Sequence, residues 1–167
     1  MQIIMTKLYL KQIRKYENKQ QEPMNKNLQT TTHLAIFKQP FLNTMLDGKK
    51  TIESRFMVNR SIPYKKIHAG DRVIIKESCG LVMGEFKVKK VEDIELNSLK
   101  KVEYCKSFSN EICSDLDKNF WKNKKNKRYA TLIWIDSLTK YNEPRECTEK
   151  PNRSMAGWFV LKDKENK

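Results

Sequence analysis

Histidine, cysteine and glycine are all scarce in this 167-residue chain, which holds two, four and five of them. With His33 and His68 alone, and 35 positions apart, a His-rich metal site is excluded and a Ser-His-Asp triad has few ways to form. Any catalysis must lean on Lys, Glu, Thr, Ser or Arg. Cysteines 79, 105, 113 and 147 contain no CxxC half-site, so neither structural zinc nor thiol exchange is expected and the cysteines read as free thiols. No apolar run approaches the roughly 18 residues of a membrane helix, so an integral membrane protein is not expected. The first residues, Met1-Gln-Ile-Ile-Met-Thr-Lys7, contain neither an apolar stretch of leader length nor a small-residue cleavage site. A cytoplasmic location is expected. Acidic residues are also in short supply: 34 Lys and Arg against 20 Asp and Glu give +14.

Aromatic residues are plentiful. Three Trp, six Tyr and seven Phe can build a compact core although apolar residues make up only 38% of the chain. The length fits one domain. Residues 1–32 carry six cations and two Glu, are rich in Gln and Asn, and have little beyond Leu8, Leu10 and Ile13 to bury. They read as a basic polar arm, a solvated tail or loosely docked segment, ahead of a folded domain over 33–163 and a short tail at 164–167. The densest charge lies at 121–128, where Lys122, Lys124, Lys125, Lys127 and Arg128 crowd beside Trp121. Mutual repulsion predicts an exposed loop, either a non-specific phosphate patch or a solubilising linker.

Strands are expected at 33–37, 51–56, 72–76, 81–91, 129–135 and 157–161, from short apolar or alternating runs bounded by turn residues. A helix should begin near Gln39-Pro40, bury Phe41, Leu42, Met45 and Leu46, and end at Gly48. One or two further helices are expected in 97–121, where Phe108, Ile112, Leu116 and Phe120 recur every four residues. A polar segment containing Pro144 and Pro151 should separate the last two strands. This β-α-β-β-β-α-β-β order suggests an α+β fold: a small mixed sheet curled into a barrel, with helices covering its ends.

The period of two along 51–56 sends Ile52, Ser54 and Phe56 one way and Thr51, Glu53 and Arg55 the other, with Lys50 at the entrance. Two cations, a carboxylate and a hydroxyl then share one patch, which either faces solvent as a salt-bridge ladder or lines a polar cleft. A Glu between two cations should stay ionised, and an Arg can clamp a phosphate or carboxylate with two hydrogen bonds.

Lys50-Thr51-x-Glu53-x-Arg55, after a helix ending in Gly48, resembles the opening motif of ASCH (activating signal cointegrator homology) domains. Gly70-Asp71-Arg-Val, Lys76-x-Ser78-x-Gly80 and the leading His33-Leu-Ala-Ile-Phe-Lys-Gln-Pro40 are similar to that family's pattern too, so the likeness covers roughly residues 33–96. It implies a PUA-like fold, a mixed and mostly antiparallel β-barrel with flanking helices, and a cleft where the Lys-Thr-x-Glu-x-Arg strand begins. It also implies an RNA-binding module. One branch of the family hydrolyses acetylated cytidine with a lysine, a threonine and a glutamate. Lys50 matches that lysine; Glu53 stands where the threonine would be, Thr51 is only the lysine's neighbour, and for the glutamate Glu103 is a guess. The departure counts against the amidohydrolase activity.

The expectation is thus an RNA- or nucleotide-binding protein, monomeric and without cofactor, metal or membrane partner. Its ligand would meet Lys38, Gln39, Lys50, Thr51, Glu53, Arg55, Lys76, Ser78 and Gly80. Arg60, Lys65 and Lys66 are further candidates for phosphate contacts, and Tyr64, Trp121 and Trp158 for base stacking, although Trp158 and Trp134 read as core. The N–H groups of the Ser78–Gly80 turn are candidates for holding an anion. The alternative is a hydrolase of a modified nucleoside or small amide, with Lys50 and Glu53 catalytic.

Overall fold

The computed structural model describes residues 30–148 and 157–161. All but the last three residues of the expected 1–32 arm, and the whole 164–167 tail, lie outside the described residues. Six strands and three short helices follow in the order β1 (Thr32–Phe37), α1 (Phe41–Leu46), β2 (Ile52–Met57), β3 (Arg72–Glu77), β4 (Val82–Glu95), α2 (Leu99–Lys106), α3 (Ser109–Ile112), β5 (Tyr129–Arg145) and β6 (Trp158–Leu161). They form one sheet in the order β2-β5-β4-β3-β1-β6. Only β1 and β3 run parallel. The sheet is the expected mixed, mostly antiparallel one, curled into a half-barrel. No helix among the described residues is long and apolar enough to cross a membrane.

Strands β1 and β3 are buried on both faces, which is why their sequences read as continuous apolar runs rather than alternations. Inside the curl, Ala35 and Phe37 of β1, Val73 and Ile75 of β3, and Phe86 and Val88 of β4 close over Leu42, Met45 and Leu46 of α1. Leu34, Ile74, Val82 and Phe159 pack on the opposite face. A third cluster, Ile52, Ile112, Phe120 and Leu132, joins β2 and β5 to the α3 region. Burying each such side chain contributes roughly 1.5–3 kcal/mol. Helix α1 ends as expected, with Gly48 at φ +74° turning the chain toward β2.

Two strand ends and one helical face need correction, while the helices expected in 97–121 are α2 and α3. Strand β4 runs past Val91 to Glu95, and β5 runs past Ile135 to Arg145, through what reads as a polar connection. The two form a long coiled ribbon whose register shifts three times, and Pro144 falls in the bulged stretch between the Gly84–Lys140 and Val82–Arg145 pairs. A ribbon with one solvated face needs little apolar sequence, and a proline is tolerated where no ladder bond is required. At Gly84 a Cβ would sit 2.4 Å from the Thr139 carbonyl oxygen, so the crossing requires glycine. Finally, the four-residue periodicity over 108–120 is not one helix. Cys113 turns left-handed at φ 59° and ends α3, so Ile112 and Phe120 are buried while Leu116 is exposed.

Candidate functional site

The curled sheet does not close. Strands β2 and β6 are its outer members, and the Arg55 side chain of β2 reaches across the opening. Its Nη2 donates to the Ile36 carbonyl at 3.0 Å and its Nη1 to the Gly157 carbonyl at 3.4 Å. The guanidinium packs over the rings of Phe37 and Trp158, at 5.1 and 5.0 Å from their centroids. Gly157 leaves room for this, since a Cβ there would lie 3.1 Å from Arg55 Nη1.

Beside this bridge lies a cleft of about 580 Å³. Glu53, 5% exposed, sits between Arg55 of its own strand and Lys50 just ahead of it. Its Oε2 is 3.2 Å from Lys50 Nζ and its Oε1 is 2.7 Å from Arg55 Nε. The Arg55 Nε–H does not point at that oxygen, so the second contact is ionic and leaves this buried donor without a hydrogen bond. Lys50, 3% exposed, also donates to the Ile52 carbonyl at 2.9 Å and to the Ile112 carbonyl at 3.0 Å. Those two carbonyls are its hydrogen-bond acceptors, and Glu53 is its ionic partner. Local backbone geometry sets this up: the Lys49 and Lys50 N–H groups both donate to the Thr44 carbonyl, which ties the end of α1 to the start of β2.

The cleft's other wall is aromatic. Phe41, Phe56 and Phe120 line it, with Phe120 packing against both of the others. Lys124 enters from the short helical turn Lys122–Lys124, its Nζ 4.8 Å from the Phe120 centroid and 5.6 Å from that of Phe56. Partial burial there lowers the Lys124 pKa below the usual lysine value.

Behind Arg55, Trp158 belongs to a second network. Its indole N–H donates to His33 Nδ1 at 3.2 Å, and an indole can only donate. The His33 proton is therefore on Nε2, which lies 3.1 Å from Asp71 Oδ2. Asp71 also accepts the N–H groups of Thr31 at 3.0 Å and of His68 at 2.7 Å. The two histidines, far apart in sequence, thus converge on one carboxylate. Burial, outweighing the Asp71 contact, lowers the His33 pKa below its ordinary value and keeps the ring neutral.

Of the residues expected at the site, Lys38, Lys50, Glu53, Arg55 and Ser78 line the cleft. Gln39 is exposed beside it and bonds Asn43 and Glu77. Thr51 is exposed and does not line it; its N–H donates to the Glu111 carbonyl and its own carbonyl accepts from Ile135. Lys76 turns away and ties the β3–β4 turn through the Glu77 and Gly80 carbonyls at 3.1 and 2.8 Å. An anion nest at Ser78 and Gly80 is not available: their N–H groups donate to the Phe37 and Glu77 carbonyls. Gly80 is a packing requirement, because a Cβ would meet Glu77 at 2.6 Å.

Tyr64, expected as a stacking platform, is buried against Tyr129. Arg60 pairs with Glu95, Lys65 sits against Tyr64, and Lys66 is exposed; none of the three lines the cleft. Glu103 is exposed on α2 and pairs with Lys106. Trp158 is core as expected, whereas Trp134 is only half-buried, with Lys90 Nζ 4.6 Å from its ring centroid. Residues 121–128 are not simply a loop. Lys122, Lys125 and Arg128 are exposed, Lys127 is half-buried, Trp121 packs on Phe56 and Phe120, and Lys124 turns into the cleft. Sequence reasoning missed the phenylalanine wall, Gly157 and the His33–Asp71 network. A histidine opening an apolar run is the one signal that pointed at the last.

The ASCH domain family model matches residues 36–159. The ASCH protein of Zymomonas mobilis has a similar structure, with a TM-score of 0.58 at 16% identity over 79% of this chain and 88% of that one. Two mutant structures of the same Zymomonas protein give a TM-score of 0.56 each, at 16% and 15% identity, over 79% of this chain and 91% and 89% of theirs. At such identity the likeness bears on the fold. No curated protein matches this chain. A sheet of this topology, together with a family match that runs from β1 to β6, shows that the chain belongs to the ASCH domain family.

Proposed function

We propose that this protein binds RNA or a nucleotide in the cleft at the open seam. The observation that carries the reading is the composition of that cleft. Four cations (Lys38, Lys50, Arg55 and Lys124) and one carboxylate (Glu53) give four minus one, or +3, against a wall of three phenylalanines. A nucleotide needs these two things together: positive charge for phosphate and an aromatic face for the base. Glu53, between its two cationic neighbours, adds an acceptor for an N–H on the base edge. Membership of the ASCH family supports an RNA-binding or related role in general terms.

The test is a titration with a short single-stranded RNA and with ribonucleoside monophosphates, at low and at physiological salt. Affinity for the RNA should fall steeply as salt rises if several phosphates are engaged. No binding under either condition, or a response independent of salt, would overturn the reading. The hydrolase alternative has one favouring observation, a buried carboxylate at a cleft. Lys50, hydrogen-bonded to two carbonyls and ion-paired with Glu53, is suited to holding that carboxylate in place. That mechanism therefore places a water on Glu53 as general base, and turnover that survives Glu53→Gln removes it.

A further inference from the structure

The run of cations at 121–128 contains one member that behaves unlike the rest. Lys124 is drawn into the cleft, and among the described residues its ammonium has no carboxylate or carbonyl acceptor. What it has is the face of Phe120 and the nearby ring of Phe56. Lys50 makes the contrast plain: at the other end of the same wall it lies 5.7 Å from the Phe41 centroid, but its ammonium has two carbonyl acceptors and a carboxylate 3.2 Å away. A partly desolvated ammonium resting on aromatic faces, with Asp117 and Glu53 acting on it only through space, is held weakly compared with one that meets an anion directly.

We infer that Lys124 is a displaceable occupant of the base seat: without ligand it covers the Phe120 face, and a base stacking there drives it onto the ligand's phosphate. The cation and the base compete for one aromatic face, so both cannot sit on it. The Lys122–Lys124 turn anchors the backbone, while the four-carbon stem leaves the ammonium free to swing. The seat then disfavours an uncharged nucleoside, which must evict the ammonium and offers it nothing in return. A nucleoside phosphate evicts it and neutralises it. Loss of the partial burial that lowers the Lys124 pKa adds to the same direction of change. The ligand class is therefore a nucleotide with its phosphate within a lysine's reach of the stacked base, a refinement that rests on the function proposed above.

The experiment compares binding of the four ribonucleosides and their 5′-monophosphates to the wild-type protein, Lys124→Met and Lys124→Arg, by calorimetric titration. Methionine keeps the stem and removes the charge. For the best-bound base, the wild-type protein should prefer the monophosphate by about tenfold, or ~1.4 kcal/mol. Lys124→Met should lose most of that preference while binding the nucleoside at least as tightly as the wild type, and Lys124→Arg should restore the preference. A Lys124→Met protein with an unchanged thermal midpoint that weakens nucleoside and monophosphate equally would overturn the inference. So would a wild-type protein that binds both alike. If no nucleoside, nucleotide or RNA binds the wild type at all, the proposed function itself fails, a result distinct from either of these.

Discussion

Two buried polar networks meet back to back at Trp158, and they differ in completeness. In the one behind it, Asp71 accepts two backbone N–H groups and the His33 Nε2 proton, while His33 Nδ1 takes the indole proton. Apart from the local His68 contact, these link segments distant in sequence, and the assembly is neutral at the ring. In the one in front, Lys50 has two carbonyl acceptors and an ionic contact to Glu53, but Glu53 and Arg55 share a contact that leaves the Arg55 Nε–H unmatched, and the cleft opens beside them. A complete network positions a scaffold. An incomplete one, carrying net charge at an opening, has capacity left for a ligand.

The most severe way to break this contrast is Glu53→Ala. It strands two cations in or near the interior and should cost ~3–5 kcal/mol in chemical denaturation. A loss of only about 0–1 kcal/mol, as for an exposed ion pair, would mean that the trio is not a buried unit. Trp158→Phe keeps the ring but withdraws the donor from His33 Nδ1. It should cost about 1–3 kcal/mol, and because the indole also supports Arg55, ligand affinity should fall with it.

Acid sharpens the comparison further. The folded-state pKa of His33 is lowered, so the unfolded chain takes up a proton first. The stability due to His33 is fully present above the unfolded value, near 6.5, and is lost as pH falls from there toward the folded one. Thermal midpoints measured from pH 7.5 downward should decline through that range, and His33→Gln should flatten the decline. A smaller effect is expected from Gly157→Ala. Its added methyl crowds Arg55 Nη1, so ligand affinity should drop severalfold while the thermal midpoint hardly moves. The smallest is Lys76→Met, which unties the β3–β4 turn. A loss of about 0.5–1.5 kcal/mol with unaltered ligand affinity is expected, since Lys76 does not line the cleft.

Much of the scaffold was legible along the chain. The strands at 33–37, 51–56 and 72–76 are within a residue or two of β1, β2 and β3, because apolar runs bounded by Pro, Gly and Asp report burial directly. The β4–β5 ribbon was underestimated because its half-exposed end is polar, and the 108–120 periodicity misled because a left-handed Cys113 interrupts it. At the site, Lys50, Glu53 and Arg55 are neighbours in sequence and could be seen as a group. Lys76 and Gly80 belong to the same stretch of family-like pattern, yet they serve the turn.

What the sequence determined by itself was therefore local: the strand that carries Lys50, Glu53 and Arg55, the helix end at Gly48, and the excess of positive charge. Only the tertiary structure decided which groups share a space. It brought Phe41, Phe56, Phe120 and Lys124 to one wall, placed Gly157 opposite Arg55, and joined His33 to Asp71 and Trp158. The reason is physical. Hydrogen bonding and burial along a strand are imposed by its own residues, whereas a cleft is space left over when distant segments pack, and no one segment encodes it.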